Sequence, residues 1–184
     1  MKLYVVRHGE TIENAANIIQ GQLPGHLNAL GLEQVSATAV KLKDVAFDAI
    51  YCSDLQRCVE TAAIICKFHP DQTVTYSEQL RERKGGSFEG KPLDMDFWQS
   101  LPGTEYTRHY PGGESWDEVR LRVLPFLNEI YAKHPDDTVL FVAHGGIVRG
   151  IRALIAGVPL DQLENDGNPN AGVWTFDVSG PLQA

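Results

Sequence analysis

Five residues in this chain have the types and settings needed to hold an anion and attack it. Arg7-His8-Gly9-Glu10-Thr11 follows directly on the apolar run Leu3-Tyr4-Val5-Val6. Arginine presents a planar fork of donors that matches phosphate, and imidazole presents a nitrogen that is nucleophilic near neutral pH. Gly9 is expected to let the backbone turn sharply and approach a ligand. Further along, Arg57 follows a second short apolar run. Glu82 stands among Arg81, Arg83 and Lys84, and His144-Gly145-Gly146 closes the most apolar run of all, Thr138-Val139-Leu140-Phe141-Val142-Ala143. Each has a plainer reading: a polar turn after a buried strand, a surface arginine, a solvated charged turn. The repetition argues against the plain readings, because two apolar runs end in histidine and a third ends just before Arg57.

These positions need a scaffold that brings strand ends together. The apolar runs 3–6, 47–51, 74–76, 138–143 and 172–178 read as short strands. Between them lie helical patterns. Asn28 caps a helix with an expected stripe of Leu32, Val35, Ala39 and Leu42. Ser53 with Gln56 forms a capping-box pattern for a helix carrying Leu55, Val59, Ala62 and Cys66. Arg57 then falls in the first turn, where free N–H groups and the dipole favour phosphate. Ser115-Trp116-Asp117-Glu118 is another capping box, opening a helix with Trp116, Val119, Val123, Phe126 and Ile130 inward and a kink expected at Pro125. A last helix runs from 147 to 155. Strands alternating with helices give an α/β class with a mainly parallel sheet flanked by helices. In such sheets ligands sit beyond the carboxyl ends of the strands. Residues 84–114, with Pro92, Trp98, Pro102 and Tyr110, read as an irregular insertion over one end of the sheet.

The 184 residues fit a single domain spanning the chain, 1–184, large enough for a substantial core. A formal charge of −8 argues against non-specific binding to nucleic acid or an anionic membrane. Any anion site must then be a local pocket of cations. No apolar run approaches the ~20 residues of a membrane span, and Arg7 and His8 interrupt the first apolar run before it could act as a leader. The three cysteines have no paired spacing. Cys58 and Cys66, on one helix, would lie about 12 Å apart, too far for a disulfide. A reduced, cytoplasmic setting is expected.

Three chemistries compete for these residues. A metal hydrolase would use the histidines as ligands, but no His-Glu-x-x-His helix is present and Arg7 beside His8 would repel a divalent cation. A cysteine phosphatase would need a cysteine, a phosphate-cradling loop and an arginine. Cys52 and Arg57 hint at that arrangement, with one residue too few between them and no glycine. A histidine nucleophile in an arginine-lined pocket uses every feature and needs no metal.

At this point the motifs resemble a family. Arg7-His8-Gly9-Glu10-Thr11 with Asn14, Gln20-Gly21, Leu27-Asn28-Ala29-Leu30-Gly31, Ser53-Asp54-Leu55-Gln56-Arg57, Leu80-Arg81-Glu82 and Ala143-His144-Gly145-Gly146 resemble the histidine phosphatase superfamily, in its order and over almost the whole chain. The resemblance implies a phosphoglycerate mutase-like, three-layer fold. It further implies that His8 becomes phosphorylated, that Arg7, Arg57 and a protonated His144 hold the phosphoryl oxygens, and that Glu82 gives the leaving group its proton. Asn14, Gln20, Gly21 and Gly145 are implied as substrate-binding positions.

The family divides into phosphatases and mutases. Glu13 stands where mutases carry tryptophan, and Gly85 where they carry tyrosine. The spacing from Glu82 to Glu89-Gly90 resembles the phosphatase branch. The expectation is a phosphomonoesterase for small phosphorylated metabolites that uses neither metal nor cofactor. A phosphoglycerate mutase is the alternative, and a non-catalytic phospho-ligand sensor a more distant one. Its expected partner is the small substrate, with neither nucleic acid nor membrane, and with a homodimer left open. Arg81, Arg83, Lys84, Arg108, His109 and Tyr110 are expected where substrate selection occurs.

Overall fold

The computed structural model describes residues 1–163 and 167–183. Among them, five strands form one sheet: β1 (Lys2–Arg7), β2 (Ala49–Cys52), β3 (Val74–Tyr76), β4 (Thr138–Ala143) and β5 (Val173–Asp177). The order is β3-β2-β4-β1-β5, parallel throughout except for β5, which runs antiparallel to β1. The helices are α1 (Ile12–Ala15), α2 (Ala29–Leu42), α3 (Gln56–Ile65), α4 (Met95–Ser100), α5 (Trp116–Lys133) and α6 (Gly145–Ala156). This is the expected α/β class.

The sheet is covered on both faces, which is why its central strands read as unbroken apolar runs. Side chains alternate between the two layers. Val139, Phe141 and Ala143 join α5 and α6 through Val119, Val123, Leu127, Ile147 and Ile151. Leu140 and Val142 join α2 and α3 through Val35, Ala39, Cys58, Ala62 and Ile65. Among the described residues, no helix is long and apolar enough to cross a membrane.

Register does the work of assembling the site. In the parallel β1–β4 pair, Arg7 lies opposite Ala143. The next residue on each strand is a histidine, so His8 and His144 arrive side by side, ring centroids 5.2 Å apart. The neighbouring β2 ends level with them, with Cys52 opposite Val142, and hands the chain to Ser53 and Arg57.

Several local expectations change. On α2 the inward face carries Gly31, Val35, Thr38, Ala39 and Leu42, while Leu32 is 46% exposed. The reason is close approach. A Cβ on Gly9 would stand 2.6 Å from Gly31 O and 2.7 Å from Val35 Cγ2. The small residue in the Arg7-His8-Gly9 turn therefore admits a helix. It does not serve a sharp turn, since Gly9 is absent from the positive-φ glycines. The capping box at Ser53 does not form. Leu55 is the N-cap of α3 without a side-chain bond of its own, and Ser53 Oγ accepts from Leu55 N–H at 3.3 Å and from His144 Nε2 at 2.9 Å. The inward face of α3 is accordingly Arg57, Cys58, Thr61, Ala62 and Ile65. The Ser115–Glu118 box does form, and α5 continues through Pro125 with Leu127 buried and Phe126 only partly so.

Residues 84–114 are mostly irregular and carry two short regular pieces, a 3-10 turn at Gly86–Phe88 and α4. Asp94 caps α4. Phe88 stacks against both Phe97 and Tyr110, at centroid distances of 4.6 and 4.7 Å.

Candidate active site

A cavity of about 270 Å³ opens beyond the carboxyl ends of β1 and β2, its floor formed by Arg7, His8, Asn14 and Arg57. Asn17, Ile18, Ile19, Gln20, Gly21, Glu82, Arg83, Gly85, Leu93 and Trp116 complete its lining. Charge is thus arranged as the sequence demanded: cations gathered locally in a chain of net charge −8.

His8 is buried, and its Nδ1 lies 2.7 Å from its neighbour's carbonyl, Gly9 O. A carbonyl only accepts, so Nδ1 carries the hydrogen and Nε2 keeps the lone pair. Burial, followed by the nearby Arg57 and Arg7 charges, holds His8 well below the usual imidazole range. The ring is therefore neutral at physiological pH, with a nucleophilic nitrogen in a cavity lined by guanidinium groups.

Arg57, only 1% exposed, is heavily committed. Nε donates to His144 Nδ1 at 3.2 Å, Nη1 to Leu23 O and Pro24 O at 2.5 and 3.2 Å, and Nη2 to Gly21 O at 2.8 Å. It ties down the 21–24 loop while putting fixed charge on the cavity floor. Arg7 Nη1 donates to Asn168 O, and its buried Nε has no partner. Burial lowers the pKa of both arginines, yet a guanidinium remains cationic in proteins.

His144 differs from the expected protonated oxyanion partner. It is fully buried, and its pKa is driven well below the ordinary value by burial, then by Arg57 and His8. Its Nδ1 accepts from Arg57, so its Nε2–H donates to Ser53 Oγ at 2.9 Å. A neutral His144 links Arg57 to Ser53 beneath the cavity. Gly145 also lies off the cavity wall. Its carbonyl accepts from Asn168 Nδ2 at 2.9 Å, and a Cβ there would crowd the same Nδ2 at 2.8 Å.

Asn14 Oδ1 accepts from Thr11 N–H at 3.2 Å and Asn170 Nδ2 at 3.3 Å, which leaves its own amide N–H groups for a ligand. Gln20 lines the cavity and is buried with an unpaired Oε1, and Gly21 supplies the carbonyl that Arg57 holds. Glu82 is aimed by two main-chain donors, Arg83 N–H to Oε1 at 2.7 Å and Gly146 N–H, at the start of α6, to Oε2 at 3.2 Å. Of the other acids considered for this role, Glu10 accepts from Asn28, and Glu89 from Gln22 and Gly85 N–H.

Of the residues expected to select substrate, only Arg83 reaches the cavity, its guanidinium between the rings of Trp116 and Trp98 at 4.2 and 4.8 Å. Arg81 is paired with Asp54, Arg108 donates to Leu101 O and Gly103 O, and Tyr110 is buried in the aromatic stack. Lys84 and His109 do not line the cavity. The cysteine alternative fails on burial. Cys58 is pushed up to about 12 and Cys52 well above the normal thiol range, and neither lines the cavity. Among the described residues, no group of three or more His, Cys, Asp or Glu could hold a metal ion. Sequence reasoning passed over Asn168 and Asn170, and read Ser53 and Trp116 only as cap and core.

Comparison with known proteins places the chain in a family. A model of the histidine phosphatase superfamily (branch 1) matches residues 3–181. An Arabidopsis thaliana protein named metal-independent phosphoserine phosphatase is 38% identical over 191 residues, covering 96% of this chain and 79% of that protein. A second Arabidopsis thaliana protein, phosphoglycerate mutase-like protein 4, is 34% identical over 200 residues, covering 98% and 85%. The structure of Bacillus stearothermophilus YhfR superposes with a TM-score of 0.87 at 30% identity, covering 99% of this chain and 94% of that one.

Proposed function

This chain belongs to the histidine phosphatase superfamily, and from that premise we propose that it hydrolyses small phosphorylated metabolites through a phosphohistidine at His8, without a metal. The observation that carries the reading is the His8 tautomer. With Nδ1–H fixed on Gly9 O, the Nε2 lone pair faces a phosphoryl group seated on Arg7, Arg57 and Asn14.

In the first half-reaction Nε2 attacks phosphorus as the P–O ester bond breaks, and Glu82 gives a proton to the departing alkoxide. The ring becomes a cationic phosphoimidazole, which the Gly9 carbonyl stabilises through Nδ1–H. In the second, Glu82 takes a proton from water, oxygen bonds to phosphorus, and the P–N bond returns its electrons to Nε2. The arginines supply fixed positive charge where the equatorial oxygens gather negative charge, the main requirement of phosphoryl transfer.

The named activity of the phosphoserine phosphatase relative supports small metabolites as substrates. The reading extends to a reducing, cytoplasmic setting, supported by three free cysteines. Residues 84–114 act as a substrate-side wall through Gly85 and Leu93. The test is phosphate release from a panel of phosphorylated metabolites, with 3-phosphoglycerate isomerisation followed alongside. Release should far exceed isomerisation. Efficient isomerisation that requires a bisphosphate primer would replace this reading with a mutase.

A further inference from the structure

We infer that the Glu114–Arg122 ion pair is a positioning device for the Glu82 carboxyl, an inference that rests on the phosphatase reading above. Glu82 lies on no helix or strand, in an extended stretch between a turn ending at Leu80 and the turn at Gly86. A proton donor needs its backbone fixed, and here the fixing comes from α5. Arg122 meets Glu114 side-on, Nε to Oε1 at 2.8 Å and Nη2 to Oε2 at 3.1 Å.

The same guanidinium donates from Nη1 to Gln79 O at 2.8 Å, and from Nη2 to Arg81 O at 3.1 Å and Glu82 O at 3.5 Å. Glu114 completes the grip from its own end. Its Oε2 accepts from Lys84 N–H at 2.9 Å, its N–H donates to Lys84 O at 2.9 Å, and its carbonyl accepts from Arg83 Nη1 at 3.5 Å.

The pair therefore holds the main chain before and after Glu82, while α6 holds the side chain through Gly146 N–H. Neither partner lines the cavity, so neither touches substrate. Both are about one-fifth exposed, and pairs near the surface add little to stability. The consequence of this pair is where it puts residues 79–84. Arg7 ends β1, His8 follows it, and Arg57 stands on α3; none of the three is bonded to the pair. Loosening the pair should displace the acid and leave the phosphoryl cradle in place.

The test uses kcat/KM, which ends with loss of the alcohol and so reports Glu82 as an acid only. It compares glycerol 3-phosphate, whose alkoxide needs a proton, with p-nitrophenyl phosphate, whose phenolate scarcely does. Glu82→Gln sets the reference, a selective loss on the alkyl ester. Arg122→Met should lower the alkyl rate about 100-fold, the scale of an ångström misplacement, and the aryl rate far less. Arg122→Lys should recover part of the loss, since an ammonium keeps the charge without the fork.

In the double variant Glu82→Gln/Arg122→Met, the alkyl loss should stay within about threefold of Glu82→Gln alone, because both changes act on one group. Equal losses on the two esters in Arg122→Met, or losses that multiply in the double variant, overturn the inference and leave the phosphatase reading standing. Equal losses in Glu82→Gln itself would instead remove the acid assignment, and the positioning role with it. Should Arg122→Met not fold, Glu114→Gln carries the same comparison.

Discussion

Replacing Gly146 by alanine should disable Glu82 while leaving the protein folded. A Cβ at this position would stand 2.5 Å from Trp116 Cζ3 and closer still to Glu82 Oε1, where ordinary contact begins at 3.4 Å. The difference, 3.4 − 2.5, is a required retreat of about 0.9 Å for the indole. The carboxylate must move further. The indole, which lies in the first turn of α5 and against Arg83, must give way as well, but the carboxylate ends the more flexible side chain and shifts more. It leaves the Gly146 N–H, one of its two aiming bonds. An ångström of misplacement costs about 100-fold in rate, within the ~10²–10⁴ that a general acid contributes. Stability changes less. Alanine gains about 1 kcal/mol in helix propensity over glycine, against roughly 1–3 kcal/mol for crowding. At ~2–4 °C per kcal/mol for a chain this long, melting should fall by only several degrees. The assay is kcat/KM on glycerol 3-phosphate and p-nitrophenyl phosphate beside a thermal melt. The expected result is a loss near 100-fold on the alkyl ester and a much smaller one on the aryl ester. Alkyl activity within about threefold of wild type would refute the claim that this contact aims the acid.

Other outcomes follow from the same geometry. His8 and His144 are buried neutral, with folded pKa values depressed below the unfolded one near 6.5. Below that pH the unfolded chain binds protons that the native state refuses, so stability rises with pH and is lost as pH falls. Each histidine contributes up to about 1.4 kcal/mol per pH unit. Urea unfolding between pH 7.5 and 5.5 should show this, and His144→Gln should remove one histidine's share of the slope; an unchanged slope would mean that His144 is protonated in the native state. Asn170→Ala removes one of the two donors that orient Asn14, and a hydrogen bond of ~0.5–1.5 kcal/mol corresponds to a loss of about two- to tenfold. The loss should be equal on alkyl and aryl esters, because Asn14 serves the phosphoryl group common to both; a difference between them would contradict that role. Prolonged chelation should leave turnover unchanged while vanadate inhibits. Activity lost to chelation and restored by a divalent ion would transfer the chemistry to a metal.

The parts of this site legible in the sequence are those set by strand ends. His8, His144 and Arg57 each follow an apolar run, and parallel register makes neighbouring ends coincide. What stayed hidden depends on partners distant in sequence. Asn168 and Asn170 reach Arg7, His8 and Asn14 because β5 runs antiparallel, so that its beginning, at Val173, lies beside the end of β1, at Val6. The apolar pattern of β5 does not state its direction. Ser53 was misread because a serine three residues before a glutamine has the same spacing whether it caps a helix or receives a histidine from another strand. The setting of His144 was hidden for a similar reason. A sequence shows two arginines nearby, but not that one donates into the ring or that burial lowers the ring's pKa. Among the cations expected to select substrate, only Arg83 reaches the cavity: Arg81 is drawn to Asp54 of another segment, and Arg108 to carbonyls of its own loop.

The central claim is that His8 Nε2 carries the phosphoryl group. Rapid quenching of the enzyme with substrate radiolabelled in the phosphoryl group tests it directly. The account predicts a labelled protein whose label is lost in acid and kept in base, as for a phosphorus–nitrogen bond, and the absence of both label and turnover in His8→Ala. A His8→Ala enzyme that still formed the labelled intermediate, or kept most of its activity, would contradict it.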